Sequence, residues 1–169
     1  MGREEAGAQP VRDQVFEACL TEVAGEAVFD VVGLGGRPEL FKEVVGRLAA
    51  TIPEGTEVLA AVRIEGSVLV GAVAAAGGIP FAVVQRGLSS QSATHREIGG
   101  ASVSGRRVAV VEAVVASGLE AMEAALELRE AGAVVGDVLC VAARPDPGTL
   151  QRLAGDRLRL WPVFAWQDG

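Results

Sequence analysis

Between Glu57 and Ala143 the chain alternates short, almost wholly apolar runs with stretches of helical spacing, and this alternation limits the fold more than any other feature. "EVLAAV", "IPFAVVQ", "RRVAVVEA" and "AVVGDVLCVAA" have the length and branched-residue content of strands. "GSVLVGAVAAAG" and "SGLEAMEAALELREAG" lie between them and read as helices. Strands that show no polar alternation are covered on both faces, which is the condition of a parallel sheet with helical crossovers. The expected class is therefore α/β, a central and mainly parallel sheet flanked by helices.

The flanking segments fit around that core. "VRDQVFEACLTEVA" places Val11, Val15, Phe16, Leu20 and Val23 near one helical face, and "AVFDVVG" reads as a short strand. "RPELFKEVVGRLAATI" has Pro38 in its first turn and Leu40, Phe41, Val44, Val45 and Leu48 on one side, so a second amphipathic helix is expected. "RPDPGTLQRLAGD" and "LRLWPVFAW" supply a last helix and strand, with Trp161 and Trp166 assigned to the core or an interface. The division expected is an N-terminal segment and helix over 1–26, followed by a single domain over 27–169. One stretch breaks the rhythm: Arg86 to Gly105 is rich in Ser, Gly and charge, and reads either as a long flexible loop that carries function or as a solvated hairpin extension.

Composition narrows the function. At 169 residues and 50% hydrophobic, the chain suits one domain with a full-sized core. Fifteen basic residues against 22 acidic ones give a net charge of −7, which excludes non-specific binding to nucleic-acid phosphates, and the absence of Tyr leaves few rings for bases to stack on. Lys42 is the single lysine. Cys19 and Cys140 lie far apart, without a C-x-x-C or a histidine cluster, and are expected to be buried thiols of a reducing compartment. With no membrane-length apolar run and no cationic leader, the expected location is cytoplasmic.

In an open parallel sheet, ligands bind beyond the carboxyl ends of the strands, where loops enter helices. Three such places are visible: "VRIEGS", the long loop, and "EAVVASG". In the third, Val115, Ala116, Ser117, Gly118 and Leu119 are candidates for a backbone cradle for an anion, since N–H groups at a helix start favour negative charge. Glu112, a lone acid at a strand end, is suited to sugar hydroxyls or a hydrated magnesium ion. A competing reading is structural: Ser117 to Glu120 has the S-x-x-E pattern of a capping box, which would consume those donors.

"VAVVEAVVASG" resembles the phosphoribosyl-pyrophosphate (PRPP) motif of type I phosphoribosyltransferases, where apolar residues lead into two acids and a Thr/Ser-Gly turn. "VRIEGSVLVGAVAAAGGIPFAVVQR", "REIGGASVSGRRVAVVEAVV", the stretch Cys140 to Gly148, "LWPVFAWQD" and "FDVVGLGGRPELFKEVVGRLAATI" are similar to successive parts of the orotate phosphoribosyltransferases, so the resemblance covers roughly residues 27 to 168. It implies that family's fold, a homodimer, and transfer of ribose 5-phosphate from PRPP to a base such as orotate, with Mg2+ accompanying bound PRPP.

By position, Glu112 corresponds to the family's first acid and Ala113 replaces the second. Ala116 and Ser117 stand for the threonines of the phosphate turn, and Leu119 for its second glycine. The pyrophosphate loop corresponds to Glu65, Gly66 and Ser67, with Gly66 retained and Ser67 where a second glycine is usual. The Arg-Lys pair becomes Gln85-Arg86, and the catalytic loop keeps His95 and Arg96 without a lysine. Losing one donor from a preorganised site typically costs about 3–4 kcal/mol of barrier. Two readings follow. The chain is a degenerate relative that binds PRPP or a nucleotide-like molecule with weak or no turnover, or it is an active transferase in which His95, Arg86 and Arg96 replace lysines and Glu112 alone holds the ribose. His95 also reads as a solvated loop residue, and Arg86 as a surface ion-pair partner.

Overall fold

The computed structural model describes residues 5–61, 64–86 and 96–166. Helix α1 (Glu5–Cys19) leads into a hairpin of β1 (Leu20–Val23) and β2 (Glu26–Phe29), a 3-10 turn over Val31–Gly36, and α2 (Pro38–Ala50). The core then runs β3 (Val58–Ala61), α3 (Ile64–Gly77), β4 (Phe81–Arg86), β5 (Arg96–Gly100), β6 (Arg107–Val115), α4 (Leu119–Glu130), β7 (Val134–Ala143), α5 (Pro147–Gly155) and β8 (Arg159–Ala165).

The six-stranded sheet has the order β5-β4-β3-β6-β7-β8, and every neighbouring pair is parallel except β4 with β5. From β3 the chain moves outward through α3 to β4. From β6 it moves the other way, through α4 to β7 and α5 to β8. The strand order thus reverses between β3 and β6, and the carboxyl ends of these two strands flank a crevice. Two apolar cores cover the sheet: α1, α2 and α3 pack with Ala109, Val111 and Ala113 of β6 on one face, and α4 packs with Val108, Val110 and Val115 on the other.

The alternation in the sequence yields this α/β sheet as expected, with three local differences. The first helix stops at Cys19, and Leu20 and Val23, expected on its face, belong to β1. The hairpin is possible because Ala24 (φ 53°) and Gly25 (φ 84°) both adopt the left-handed conformation that two-residue connections require. The following strand is shorter than expected: it ends at Phe29, and Asp30 caps the 3-10 turn by accepting a hydrogen bond from Val32 N–H at 2.9 Å. The third difference lies in the long loop. Arg96–Gly100 is a strand, paired antiparallel with β4, while 87–95, including His95, fall outside the described residues.

Cys19 and Cys140 are buried free thiols in cores on opposite faces of the sheet, so they do not meet. Burial, reinforced by Asp30 and opposed by Arg37, pushes the Cys19 thiol up to about 12. Burial and then the charge of Glu112 push Cys140 upward as well. Both are protonated at neutral pH and poor as nucleophiles or metal ligands. Trp161 is a core and edge residue, its indole N–H donating to Asp137 at 2.8 Å. Trp166 packs against Phe16 and Phe29, each with ring centroids 6.1 Å away, and this aromatic group seats α1 and the hairpin beside the end of β8.

Candidate functional site

Strand β6 ends at Val115, which is buried and whose carbonyl accepts the Arg144 N–H at 2.9 Å. Val115 therefore belongs to the ladder, and the turn proper is Ala116, Ser117 and Gly118. Gly118 has φ 75°, and a Cβ there would lie 3.2 Å from Leu153 and Thr149 carbons of α5. Conformation and packing both demand glycine.

The capping box does not form. The residue at the cap of α4 is Gly118, which has no side chain to cap with, and Glu120 falls in the first turn rather than three positions beyond a capping serine. Ser117 Oγ instead accepts the Leu119 N–H across a short turn, at 3.3 Å. Among the described residues, the N–H groups of Ser117 and Gly118 meet no acceptor. The mouth of α4 thus keeps donors that a full box would have taken.

Helix α3 starts at the carboxyl end of β3, next to β6. Gly66, in its first turn, is there because a Cβ would come 2.7 Å from the Val111 carbonyl oxygen and 3.1 Å from Ala61 Cβ, and its absence lets the helix lie against β6. Glu65 and Ser67 share that turn, and Ser67 is half-buried. The two helix starts therefore open on one edge of the sheet, each with the positive end of its dipole outward. On that edge Arg86 and Arg96 are direct register partners across β4 and β5.

Glu112 is 3% exposed and lies on the α4 face of β6, whereas Ala113 faces the other core. Glu112 lines a pocket of about 170 Å³ with Val115, Ser117 and Gly118. It also lines a hollow of about 520 Å³ beneath the hairpin, with Glu26, Phe29, Glu120, Arg144 and Trp166. Arg144 stacks over Trp166, its guanidinium carbon 5.4 Å from the ring centroid. A third cavity, about 610 Å³ near Arg129 and Asp156, opens at the start of β7, at the opposite edge from the helix starts.

Sequence reasoning missed the second layer of this site. Glu112 and Thr149 are the two buried polar side chains among the described residues; Thr149 bonds to the turn and Glu112 lines the pocket beside it. The Thr149 hydroxyl donates to the Ala116 carbonyl at 3.0 Å, and Arg152 donates to the Ser117 carbonyl at 3.1 Å. Asp146 caps α5 by accepting the Thr149 N–H at 2.6 Å, and that backbone bond above all holds its carboxyl below the usual range. That cap contributes fully above the ordinary aspartate range and is lost as pH falls through the depressed value. The Asp-Pro pair announces the cap, but no local signal ties Thr149 to a turn 33 residues away. Trp166, Arg144 and Glu26 were likewise invisible as pocket walls, because three separate elements bring them together.

No protein-family model matches the chain. An orotate phosphoribosyltransferase of Methanocella arvoryzae is 40% identical over 107 residues, 62% of this chain, and the match spans 60% of that relative's length. Another from Nocardioides sp. is 30% identical over 136 residues, covering 80% of this chain and 75% of that one. Among solved structures, the orotate phosphoribosyltransferase of Mycobacterium tuberculosis in complex with PRPP has a TM-score of 0.75 at 22% identity, covering 94% of this chain and 95% of that chain.

Proposed function

We propose that this chain, which belongs to the orotate phosphoribosyltransferase family, binds PRPP or a related nucleotide at the crevice between β3 and β6 and turns it over weakly or not at all. The observation that carries this reading is the mouth of α4, where donor N–H groups of Ser117 and Gly118 and the buried Glu112 wall one pocket. The amides suit a 5-phosphate, and Glu112 suits the ribose hydroxyls. Gly66 and Ser67 at the start of α3 suit the diphosphate, and Arg86 and Arg96, partners in register, suit its outer charge.

Transfer requires more than binding. Positive charge develops on the ribose carbon as the diphosphate departs, and carboxylates that stabilise it act only in that state. Here Glu112 stands without a second acid, since Ala113 fills that position within the apolar core. Mg2+ would enter as a complex with the diphosphate, and Glu112 and Glu120 are the carboxylates that line the pocket at the mouth of α4.

The second reading, an active transferase, is favoured by the 520 Å³ hollow, which is of a size to take a base. Its wall carries Glu26, Glu112 and Glu120 against Arg144, a balance that disfavours an acceptor with its own carboxylate. Calorimetry with PRPP and Mg2+, followed by turnover assays with orotate and with uracil, tests both. Binding without turnover is expected. Turnover with either base would establish the second reading, a preference for uracil of at least about tenfold is then expected from the acidic wall, and no binding of PRPP would remove both.

A homodimer belongs to the same proposal. From Gly66 to Gly77, α3 carries no charged residue, yet Val68 is 45% exposed and neighbouring Phe81 43%. A helix apolar all round calls for cover on its outer side, and a second copy supplies a matching surface. Light scattering is expected to give twice 17.3 kDa, falling to one unit in Val68→Glu. No helix among the described residues is long and apolar enough to cross a membrane.

A further inference from the structure

We propose that Thr149 and Arg152, both on α5, are positioning residues of the turn at the mouth of α4: they aim its amides at the ligand by holding the opposite ends of the same peptide units. This rests on the reading of that turn as the phosphate cradle. The Thr149 hydroxyl donates to the Ala116 carbonyl at 3.0 Å, and the Arg152 guanidinium donates to the Ser117 carbonyl at 3.1 Å and to the Thr149 hydroxyl at 2.9 Å. In a planar trans peptide the carbonyl and the N–H that follows it point in opposite directions. Fixing the carbonyls of Ala116 and Ser117 on α5 therefore turns the N–H groups of Ser117 and Gly118 away from it.

The relay has one direction. Arg152 donates to Thr149, and Thr149 donates to Ala116, so each bond polarises the next and sharpens the donor at the far end of the peptide. The Arg152 charge also sits one peptide unit behind the cradle, in a chain with a single lysine. Thr149 is fully buried, and its own N–H is fixed by Asp146. Gly118 completes the arrangement, since a Cβ there would lie 3.2 Å from Thr149 and Leu153 carbons and press the turn away from α5.

The test compares the full chain with Thr149→Val, Thr149→Ser and Arg152→Gln, using calorimetry with PRPP and Mg2+ and the amide resonances of Ser117 and Gly118 as readouts. Thr149→Val keeps the shape and removes the hydroxyl. It is expected to weaken PRPP binding at least about tenfold and to abolish the ligand-induced shift of both amides, while Thr149→Ser stays within about threefold of the parent. Should Thr149→Val fail to fold, the exposed Arg152→Gln carries the test, with a loss of about threefold or more expected. Parent-like affinity in Thr149→Val or Arg152→Gln overturns the proposal, as does equal weakening by valine and serine, which would mark packing as the cause. A parent chain that binds no PRPP overturns the cradle and this proposal together, and is told apart by appearing before any substitution.

Discussion

Gly118→Val is expected to lower the melting temperature by roughly 5–15 °C and to remove PRPP binding. Two independent costs combine. The residue holds φ 75°, where an L side chain costs about 1–2 kcal/mol and a β-branched one more. A Cβ would also meet Leu153 and Thr149 at 3.2 Å, and forcing extra atoms into packed surroundings costs about 1–3 kcal/mol. Relaxation would push the turn off α5 and rotate its peptides. Thermal melting and calorimetry on one preparation check both parts. An unchanged melting point together with parent-like binding would show that the turn tolerates the side chain and is not the cradle.

Arg129→Leu is expected to cost about 2–3 kcal/mol with PRPP affinity unaffected. Arg129, in the last turn of α4, pairs with Asp156 at 3.0 Å and donates to the Val135 and Asp156 carbonyls at 2.8 and 2.9 Å. Its guanidinium thus joins α4, β7 and the end of α5 at the sheet edge away from the helix starts. Leucine leaves two carbonyls and a half-buried carboxylate without this partner, and partial exposure keeps the figure below that of a fully buried pair. Chemical denaturation of Arg129→Leu, Asp156→Asn and the double variant gives the coupling. Additive losses would show that the ion pair contributes nothing beyond its separate bonds.

These two residues also mark what the sequence disclosed. The sheet was legible because β3, β6 and β7 are near-continuous apolar runs buried along most of their length, a pattern that little else produces. Strand β5 was not, since "REIGG" offers one branched residue and is held as an edge strand by its register with β4. β1 escaped because Leu20 and Val23 continue the spacing of α1, and only two left-handed residues after them reverse the chain. The turn after β6 was found by its position, and of the two readings of its chemistry the capping box fails. "SGLE" has the letters of a capping box, yet the packing of Gly118 on α5 moves the cap one residue on and leaves the serine outside it. A local motif was overruled by a contact that no local motif records.

The pairing of β3 with β6, Val58 opposite Val108, has a kinetic consequence. Each half of the crevice arises from chain-local events, a strand feeding its own helix, but the two halves meet only when segments some fifty residues apart zip together. Non-local closure of this kind is slow and comes late. Ligand recognition should therefore be the last property acquired on refolding, lagging behind recovery of helical circular dichroism.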